Sequence, residues 1–347
     1  GGEVQVLGHH VAVSGAAALD ASGAAGGGAV LVGGDYQGRN PAVRNAKATY
    51  VGPRASVKAD ATVAGAGGKV VAWSDDATRA HGSFSARGGP AGGDGGLVET
   101  SGAFLDVSGA RVSATAPAGK VGQWLLDPTD LRIVPGDANE NIDEEEGPVF
   151  VPVDSPASIG DIILSNALNQ GTSVVVRTGT GEGGAGDITM ERDTEEGPAP
   201  AIRYTGGGRV SLTLEAHRDI RIEPGARIEA VGAGSLDVDL SADTADANLG
   251  RVDIAGARIV TNGGAFRIYG QGDADNGYAS GREDEVDLAG VRIEDSTIDT
   301  GAGDISIRGS GEVGRQGVRL QGVILESGAY SNTIEARGGT VRIFGIG

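Results

Sequence analysis

Three stretches near the end of the chain repeat one pattern of isoleucine, glycine and alternating apolar residues. They read IVTNGGAFRIYG (259–270), IDTGAGDISIRG (298–309) and IEARGGTVRIFG (334–345). Each has a glycine at its sixth position, two apolar residues flanking a polar one, and a closing glycine. Short strands separated by glycine corners and repeated along a chain are typical of a β-solenoid, whose coils bury their apolar sides against one another.

The alternation within the copies predicts which side chains face inward. Successive residues of a strand point to opposite faces, so Ile259, Phe266 and Ile268 are expected inside the coil. The outward set comprises Arg267, Arg308 and Arg342, which we expect to form a ladder if their rungs are neighbours. The copies begin 39 (259 to 298) and 36 (298 to 334) residues apart. With rungs of about 20 residues, consecutive copies would lie two rungs apart.

Glycine is the composition outlier, with 63 of 347 residues. There is no strict Gly-X-Y period, which excludes collagen. Valine, isoleucine and leucine return at every second position, which argues against a flexible linker. Between residues 65 and 128, Gly-Gly and Ala-Gly steps repeatedly precede short alternating strands. The segments 92–96 and 183–187 only partly match a calcium-binding nonapeptide, and we interpret their glycines as solenoid corners that supply positive φ.

The pattern divides the chain into three parts. Residues 1–134 are predicted as one β-helix section, and residues 172–347 as a second section that continues the same solenoid. Between them, residues 135–171 hold an acidic loop and a short inserted helix. We expect Ser155 to be the N-cap, Pro156 the first helical residue and Gly171 the end of this helix.

The charge balance excludes some classes of partner. Lys and Arg total 28 against 47 Asp and Glu, a formal net charge of −19. Binding of nucleic acid rests on neutralising phosphates, so this balance argues against it, and against anionic lipid. No apolar run approaches the roughly 18 residues that a membrane helix needs. Cysteine is absent, so disulfides play no part.

One segment has spacing that suggests a metal site. Asp137, Asn139, Asn141 and Asp143 alternate like the first half of a calcium loop. Ile142 stands where such a loop needs glycine, and Pro148 where it needs glutamate. Calcium is therefore a candidate cofactor here, and an acidic surface loop is the alternative. No other cofactor is indicated.

No group of residues forms a recognisable catalytic set. Asp75–Asp76 and His9–His10 are sequence neighbours, which in a strand would point to opposite faces and could not act together. A sugar-cleaving enzyme would need carboxylates on successive rungs with aromatic residues to stack on the substrate. The aromatic candidates are Trp73, Tyr269 and Tyr278, whereas Trp124 lies in a segment typical of packing. We therefore predict that the chain is not an enzyme, with a polysaccharide lyase or hydrolase as the alternative.

Several motifs in order along the chain resemble the large exoproteins of two-partner secretion, the filamentous-haemagglutinin-like adhesins of Gram-negative bacteria. They are VLVGGDYQG (30–38), VVAWSDDAT (70–78), ARGGPAGGDGGLVETSG (86–102) and WLLDPTDLRI (124–133). The resemblance is strong over residues 26–134 and weaker over 159–347. It implies a right-handed parallel β-helix, export through an outer-membrane transporter, and display on the cell surface or release. The family's N-terminal Asn-Pro-Asn module is absent from this sequence, so we expect a middle or C-terminal section.

From pattern and resemblance together we expect an all-β, right-handed parallel β-helix with one short inserted helix. Its expected role is structural and adhesive: a stalk or fibre section with repeated weak contacts to glycans, matrix or cell surfaces. Both ends of the sequence stop in strand pattern, and open strand edges template further strands. We therefore expect either continuation in a longer protein or end-to-end stacking into a filament.

Overall fold

The structure is a computed structural model that describes residues 1–137, 156–179, 184–244, 250–271, 273–281, 289–311 and 321–346. The chain divides into two compact units. The first comprises Gly1–Thr129 with Gly136–Val175, and the second comprises Asp130–Pro135 with Val176–Gly347.

The regular structure within the described ranges is almost entirely short β strands. The first half of the chain holds β1 (Glu3–Val6), β2 (His10–Val13), β3 (Ala18–Asp20), β4 (Ala29–Val32), β5 (Ala48–Val51), β6 (Ser56–Lys58), β7 (Lys69–Trp73), β8 (Ala77–Ala80), β9 (Ser83–Ser85), β10 (Leu97–Ser101), β11 (Phe104–Asp106), β12 (Arg111–Ser113), β13 (Gln123–Asp127), β14 (Leu131–Val134), β15 (Ala157–Gly160) and β16 (Ser173–Arg177). A 3₁₀ turn covers Tyr36–Gly38, and helix α1 covers Asp161–Asn169.

The second half of the chain continues in the same style. Its strands are β17 (Ile188–Met190), β18 (Ala201–Tyr204), β19 (Arg209–Glu215), β20 (Ile220–Ile222), β21 (Arg227–Ala230), β22 (Ser235–Ser241), β23 (Val252–Ala255), β24 (Arg258–Val260), β25 (Phe266–Tyr269), β26 (Ala279–Ser280), β27 (Ala289–Glu294), β28 (Thr297–Asp299), β29 (Ile305–Ser310), β30 (Gln321–Glu326), β31 (Thr333–Glu335) and β32 (Val341–Ile346).

In the first unit each coil contributes one strand to each of three parallel sheets. The sheets run β1-β4-β7-β10-β13-β16, β2-β5-β8-β11 and β3-β6-β9-β12. Interior side chains stack in register from coil to coil, as in the column Val30, Val70, Val98 and Trp124, all fully buried. The prediction of a parallel β-helix is confirmed.

The second unit has the same construction. Its sheets run β14-β17-β20-β23-β27-β30, β18-β21-β24-β28-β31 and β19-β22-β25-β29, and β29 also pairs with β26 and β32. Phe266 pairs with Ile305 and Ile268 with Ile307, all fully buried, and Ile259 pairs with Ile298. The inward positions predicted from the repeats are therefore confirmed in the first two copies, whereas their equivalents in the third, Val341 and Ile343, are 43% and 42% exposed.

The rung length expected from the sequence is wrong. Ile259 pairs directly with Ile298, and Ile298 with Ile334, so each repeat copy is one rung and not two. The shortest coils take 26 residues, as from Glu3 to Ala29, and longer ones take 40, from Ala29 to Lys69, or 57, from Leu131 to Ile188. The reason is physical: three sheets and three corners need more chain than the expected 20 residues, and loops between strands add the rest.

A column of glycines explains the Gly-Gly motifs of the first unit. Gly28, Gly68, Gly96 and Gly122 precede the strands of the first sheet, one in each coil. A Cβ on Gly68 would lie 2.0 Å from the Gly28 carbonyl oxygen, and one on Gly96 would lie 2.0 Å from the Gly68 oxygen. At these positions glycine is required by the close stacking of backbones. The positive φ expected for segments 92–96 and 183–187 is found at Gly92 (142°), Gly93 (122°) and Gly186 (83°), but not at Gly96.

The inserted helix lies inside the predicted segment but begins later than expected. Residues Ala157–Gly160 form strand β15, in which Ile159 is buried, and α1 starts at Asp161 with Gly160 as its extended N-cap. The burial of Ile159 in a strand outweighs the helix-start signal of Pro156, and Ser155 lies outside the described residues. The predicted end is right: Gly171 follows the helix at φ +71°. The helix packs on β12 and β15.

Aspartates at the starts of strands extend the backbone ladder of the second unit. The Asp187 carboxylate accepts the N–H of Asp219, and the Asp219 carboxylate accepts the N–H of Arg251, both at 3.1 Å. Asp237 does the same for Ala265 and Asp304 for Thr340, both at 2.7 Å. In each case donor and acceptor are equivalent positions of successive coils, so part of the acidic charge serves to hold coils in register.

Candidate functional site

The 40-residue coil from Ala29 to Lys69 carries a loop that covers an outer face of its sheet. Between β4 and β5 the chain makes the 3₁₀ turn Tyr36–Gly38 and then returns through Val43. Val43 packs with Leu31 and Val71 in a small apolar cluster, and Trp73 lies against it. An outer face of a solenoid is ordinarily wet, so a loop that buries apolar residues there creates a second, local core.

Beneath and beside this loop runs an unusual column of outward-facing side chains. Leu31, Val71, Glu99 and Leu125 occupy equivalent positions of four successive strands. Their exposed fractions are 2%, 0%, 0% and 3%. Glu99 is therefore a carboxylate on the outer face of a strand that is nonetheless fully removed from water.

Glu99 is held by the loop itself. The backbone N–H of Gln37 donates to both carboxylate oxygens, at 3.0 and 3.2 Å. Gln37 adopts a left-handed backbone (φ 54°, ψ 23°), which is uncommon for a residue with a side chain. Burial raises the pKa of Glu99 to about 7; the Gln37 N–H opposes this, while the charges of Asp127 and Asp35 add to it. Glu99 thus exchanges its proton near neutral pH, in the range suited to acid–base chemistry.

A second pair lies next to Glu99. Lys69 Nζ donates directly to Asp35 Oδ1, and the exposed side-chain fractions are 35% and 10%. The backbone N–H of Tyr36 also donates to Oδ1 (2.7 Å), and Asn40 Nδ2 donates to Oδ2 (2.8 Å). Burial opposes ionisation of Asp35, but these hydrogen bonds and the Lys69 charge hold its pKa below the ordinary value. We call Asp35, Lys69 and Glu99 the covered triad.

Trp73 forms one wall of this region. A Cβ on Gly34 would lie 2.6 Å from Trp73 Cδ1, and one on Gly38 would lie 2.5 Å from Trp73 Cε2. The indole therefore packs closely against loop backbone that must be glycine at these two positions. Trp73 Nε1 and Gln37 Nε2 are buried without a hydrogen-bond partner in the protein. Trp73, an aromatic candidate for sugar stacking under the enzyme alternative, packs against the loop.

The sequence analysis did not single out the covered triad. Asp35 and Glu99 lie inside two of the motifs that carry the family resemblance, VLVGGDYQG and ARGGPAGGDGGLVETSG, and Lys69 comes directly before a third, VVAWSDDAT. In sequence the three residues are 34 and 30 positions apart. The coil register brings Lys69 and Glu99 to neighbouring strands. Lys69 pairs with Leu97, and Glu99, two residues further along β10, pairs with Val71. The available signal was the excess length between β4 and β7, which marks a loop large enough to fold back on the sheet.

The arginine ladder predicted for the second unit is only partly present. Arg267, Ser306 and Arg342 occupy equivalent positions of successive strands. Arg308 lies two residues further along and pairs with Phe344, so it belongs to another column. The cause is register: pairing of Phe266 with Ile305 places Ser306, not Arg308, beside Arg267.

Arg308 has aromatic partners. Its guanidinium lies 4.6 Å from the centroid of the Tyr278 ring and 4.4 Å from that of Phe344, and Nη2 donates to the Tyr278 hydroxyl at 2.9 Å.

Tyr269 is half-buried, and burial together with Asp239 and Glu215 raises its pKa to about 12. Tyr278 is thus engaged by an arginine, whereas Trp124 is an interior residue whose Nε1 donates to Thr100 Oγ1, as the packing prediction required.

The remaining sequence candidates fall in three places. Of the calcium candidates, Asp137 accepts the Gly109 N–H at 3.4 Å, while Asn139, Asn141 and Asp143 lie outside the described residues. Within the described ranges no group of three or more metal-ligating side chains is assembled. Calcium therefore stays a prediction.

The two pairs of neighbours dismissed from the sequence do face the same way. Asp75 and Asp76 lie in a turn after β7, and both contact Lys47 Nζ, at 3.6 and 3.3 Å. The rings of His9 and His10 lie 4.6 Å apart. The strand-alternation argument fails at both places because Asp75, Asp76 and His9 lie outside the strands.

Fold and site together define the chain as a parallel β-helix protein with a loop-covered ionisable cluster on one outer face. No protein-family model matches the sequence, and no curated protein matches it. The one α-helix in the described part of the chain has nine residues, and no described helix is long and apolar enough to cross a membrane.

Proposed function

We propose that the chain is a section of a secreted bacterial exoprotein of the two-partner-secretion type, with a structural and adhesive role at the cell surface. The support is the ordered set of motifs, together with a fold of the kind that the resemblance implies. Coils paired strand by strand through backbone hydrogen bonds give a rigid body for display.

One observation carries the adhesive part of the proposal. The outer face of β22, β25, β29 and β32 presents polar and charged side chains in register: Asp239, Arg267, Ser306 and Arg342. An array of this kind offers several polar and charged contacts side by side. Weak contacts to glycans or matrix polymers gain strength by avidity when many copies are presented together.

The adhesive proposal is tested by coating beads with the protein and measuring retention of intact neutral and acidic polysaccharides. We expect retention to rise with coating density and to fall for the Arg267→Ala/Arg342→Ala double variant. New reducing or unsaturated ends in the same mixtures, with or without added calcium, would contradict it and support the enzyme alternative. A result with neither retention nor new ends would contradict both.

The location is tested on intact cells of a Gram-negative host that expresses the full exoprotein with its outer-membrane transporter. Antibodies against this section should label unbroken cells or the medium. Label that appears only after the cells are opened would contradict surface display and export.

End-to-end assembly also stays a proposal. In strand β32 the exposed fractions of Val341, Ile343 and Ile346 are 43%, 42% and 51%. Sedimentation over a range of concentrations should show growth into filaments if such strands pair between copies, and a constant monomer mass would contradict stacking.

A further inference from the structure

The covered triad combines three features that one reaction requires. An amine and a carboxyl group are in direct contact at Lys69 and Asp35. A second carboxyl group, that of Glu99, is fully buried beside them and exchanges its proton near neutral pH. A structural ion pair would explain the contact between Lys69 and Asp35. It gives no reason for the burial of Glu99, since burying an unneeded carboxylate is costly.

The register fixes the relation of Glu99 to the pair. Lys69 and Val71 on β7 face outward like Leu97 and Glu99 on β10, and Lys69 is paired with Leu97. Strand spacing and rise place the Cβ atoms of Lys69 and Glu99 on the order of 8 Å apart, a gap that two long side chains span. Asp35 lies on the loop two residues before Gln37, whose backbone N–H donates to the Glu99 carboxylate. Asp35 is close enough for its charge to act on Glu99.

We propose that Lys69 and Asp35 join through an amide bond in the folded first unit, and that Glu99 transfers the protons of this step. The product is an intramolecular cross-link between β7 and the loop that covers it. This inference does not depend on the adhesive role.

The step balances without any co-reactant. In the ion pair, one proton passes from Lys69 Nζ to the Asp35 carboxylate, which leaves a neutral amine and a neutral acid. The nitrogen lone pair attacks Asp35 Cγ and forms the C–N bond. Glu99 accepts a proton from nitrogen and returns one to the departing hydroxyl, the C–O bond breaks, and one water molecule leaves.

The fold supplies the driving force that the same groups lack in water. Groups held in contact react with effective molarities of about 10⁵–10⁸ M, which offsets the preference of free amine and acid for the unjoined state. Hydrogen bonds from Tyr36 N–H and Asn40 Nδ2 to the Asp35 oxygens polarise its carbonyl as charge develops on it. The loop excludes water around Glu99, which favours loss of water over hydrolysis.

The ion pair alone is the competing explanation, and intact mass distinguishes the two. We expect the folded full-length protein to weigh one water molecule less than its sequence requires. Digestion should yield one branched peptide that joins the segment around Asp35 to the segment around Lys69, with no tryptic cleavage after Lys69. The full sequence mass would overturn the proposal.

Variants locate the bond and test the part of Glu99. Lys69→Arg keeps the cation but cannot form the amide, and Asp35→Ala removes the acid, so both should have their full mass. A loss of water that survives either substitution would place the dehydration elsewhere and overturn the proposal. Glu99→Gln should have its full mass as well; loss of water at the wild-type rate in this variant would overturn the assignment of proton transfer to Glu99.

A kinetic readout separates proton transfer from mere support of the loop. Protein recovered unfolded and diluted into refolding buffer should lose one water with a rate that peaks near pH 7, where Glu99 is present in both protonation states. A rate that is flat between pH 5 and 9 would contradict this role even if the bond forms.

Discussion

The two units solve the same problem on their outer faces in opposite ways. In the first unit, Leu31, Val71, Glu99 and Leu125 are withdrawn from water under or beside a loop. In the second, Asp239 and Arg267 form an ion pair at 2.9 Å, and the equivalent Ser306 and Arg342 continue the column as polar residues.

The difference shows what a β-helix coil leaves free to vary. The inward residues of both units are apolar and fully buried, so they carry the fold. The outward residues of one unit build a dry chemical environment, and those of the other build a wet, charged surface. A carboxylate is then acid–base active in the first setting and a register-holding partner of arginine in the second.

The sharpest way to break this comparison is to place the same charge on both faces. Val71→Asp puts a carboxylate, with no exposed surface, between Leu31 and Glu99. An uncompensated buried charge costs about 3–5 kcal/mol, so the first unit should lose that much stability at pH 8. The measurement is thermal unfolding, with amide hydrogen exchange to locate the loosened strands.

Ser306→Asp is the matched control, because this position lies between Arg267 and Arg342. Its effect on the free energy of unfolding should stay within about 0.5 kcal/mol. Equal losses for the two variants would mean that the face around Val71 is as wet as the face of the second unit.

The second prediction concerns the pH dependence that Glu99 imposes. Its pKa in the folded state, about 7, exceeds the ordinary 4.5. The stability from this group is therefore complete below pH 4.5 and is lost as the pH rises through 7. Each tenfold change in proton affinity between the folded and unfolded states corresponds to about 1.4 kcal/mol, so the loss amounts to roughly 3 kcal/mol.

Glu99→Gln should remove this decline, so that its unfolding midpoint falls less between pH 5 and 8. Both proteins carry Lys69→Arg, so neither can form the proposed amide. The charged groups that act on Glu99 are Asp127 and Asp35, and both are the same in the two proteins. Parallel pH curves would show that Glu99 titrates as it does in water.

The third prediction tests the loop's packing on Trp73. Gly38→Ala introduces a Cβ that would lie 2.5 Å from the indole, at a residue with φ +60°. Gly15→Ala is the control, with φ +62° and nothing within 4 Å. Positive φ alone costs on the order of 1 kcal/mol for a side-chain-bearing residue, so Gly15→Ala should lose that amount and Gly38→Ala about 2–3 kcal/mol. Trp73 fluorescence should shift only in Gly38→Ala, and equal losses would mean that the loop yields without strain.

The sequence predicts the interior of the coils better than it predicts their outer faces. Alternation identified Phe266 and Ile268 as interior residues because a strand has only two faces and one of them is apolar. The rung length was not predictable from that pattern, since alternation says nothing about the number of residues between strands. For the same reason the sequence could not bring Asp35, Lys69 and Glu99 together. That contact depends on register and on a loop whose path is set by Trp73 packing and not by periodicity.

The smallest effect is expected where charges are most exposed. Arg267→Ala leaves Asp239 without its partner, and burial already raises the pKa of that carboxyl above its usual range. Arg209→Ala removes the cationic partner of Asp237, but Asp237 still accepts the backbone N–H of Ala265 at 2.7 Å. Exposed ion pairs contribute about 0–1 kcal/mol, so both variants should lose less stability than the loop variants do.

Arg267→Ala should lose more stability than Arg209→Ala, since the Arg209 side chain is 59% exposed against 36% for Arg267. Salt should erase most of the Arg209 effect and less of the Arg267 effect. Thermal unfolding at low and high salt measures this, and the reverse order would show that backbone hydrogen bonds to aspartate, not arginine, decide the stability of the charged face.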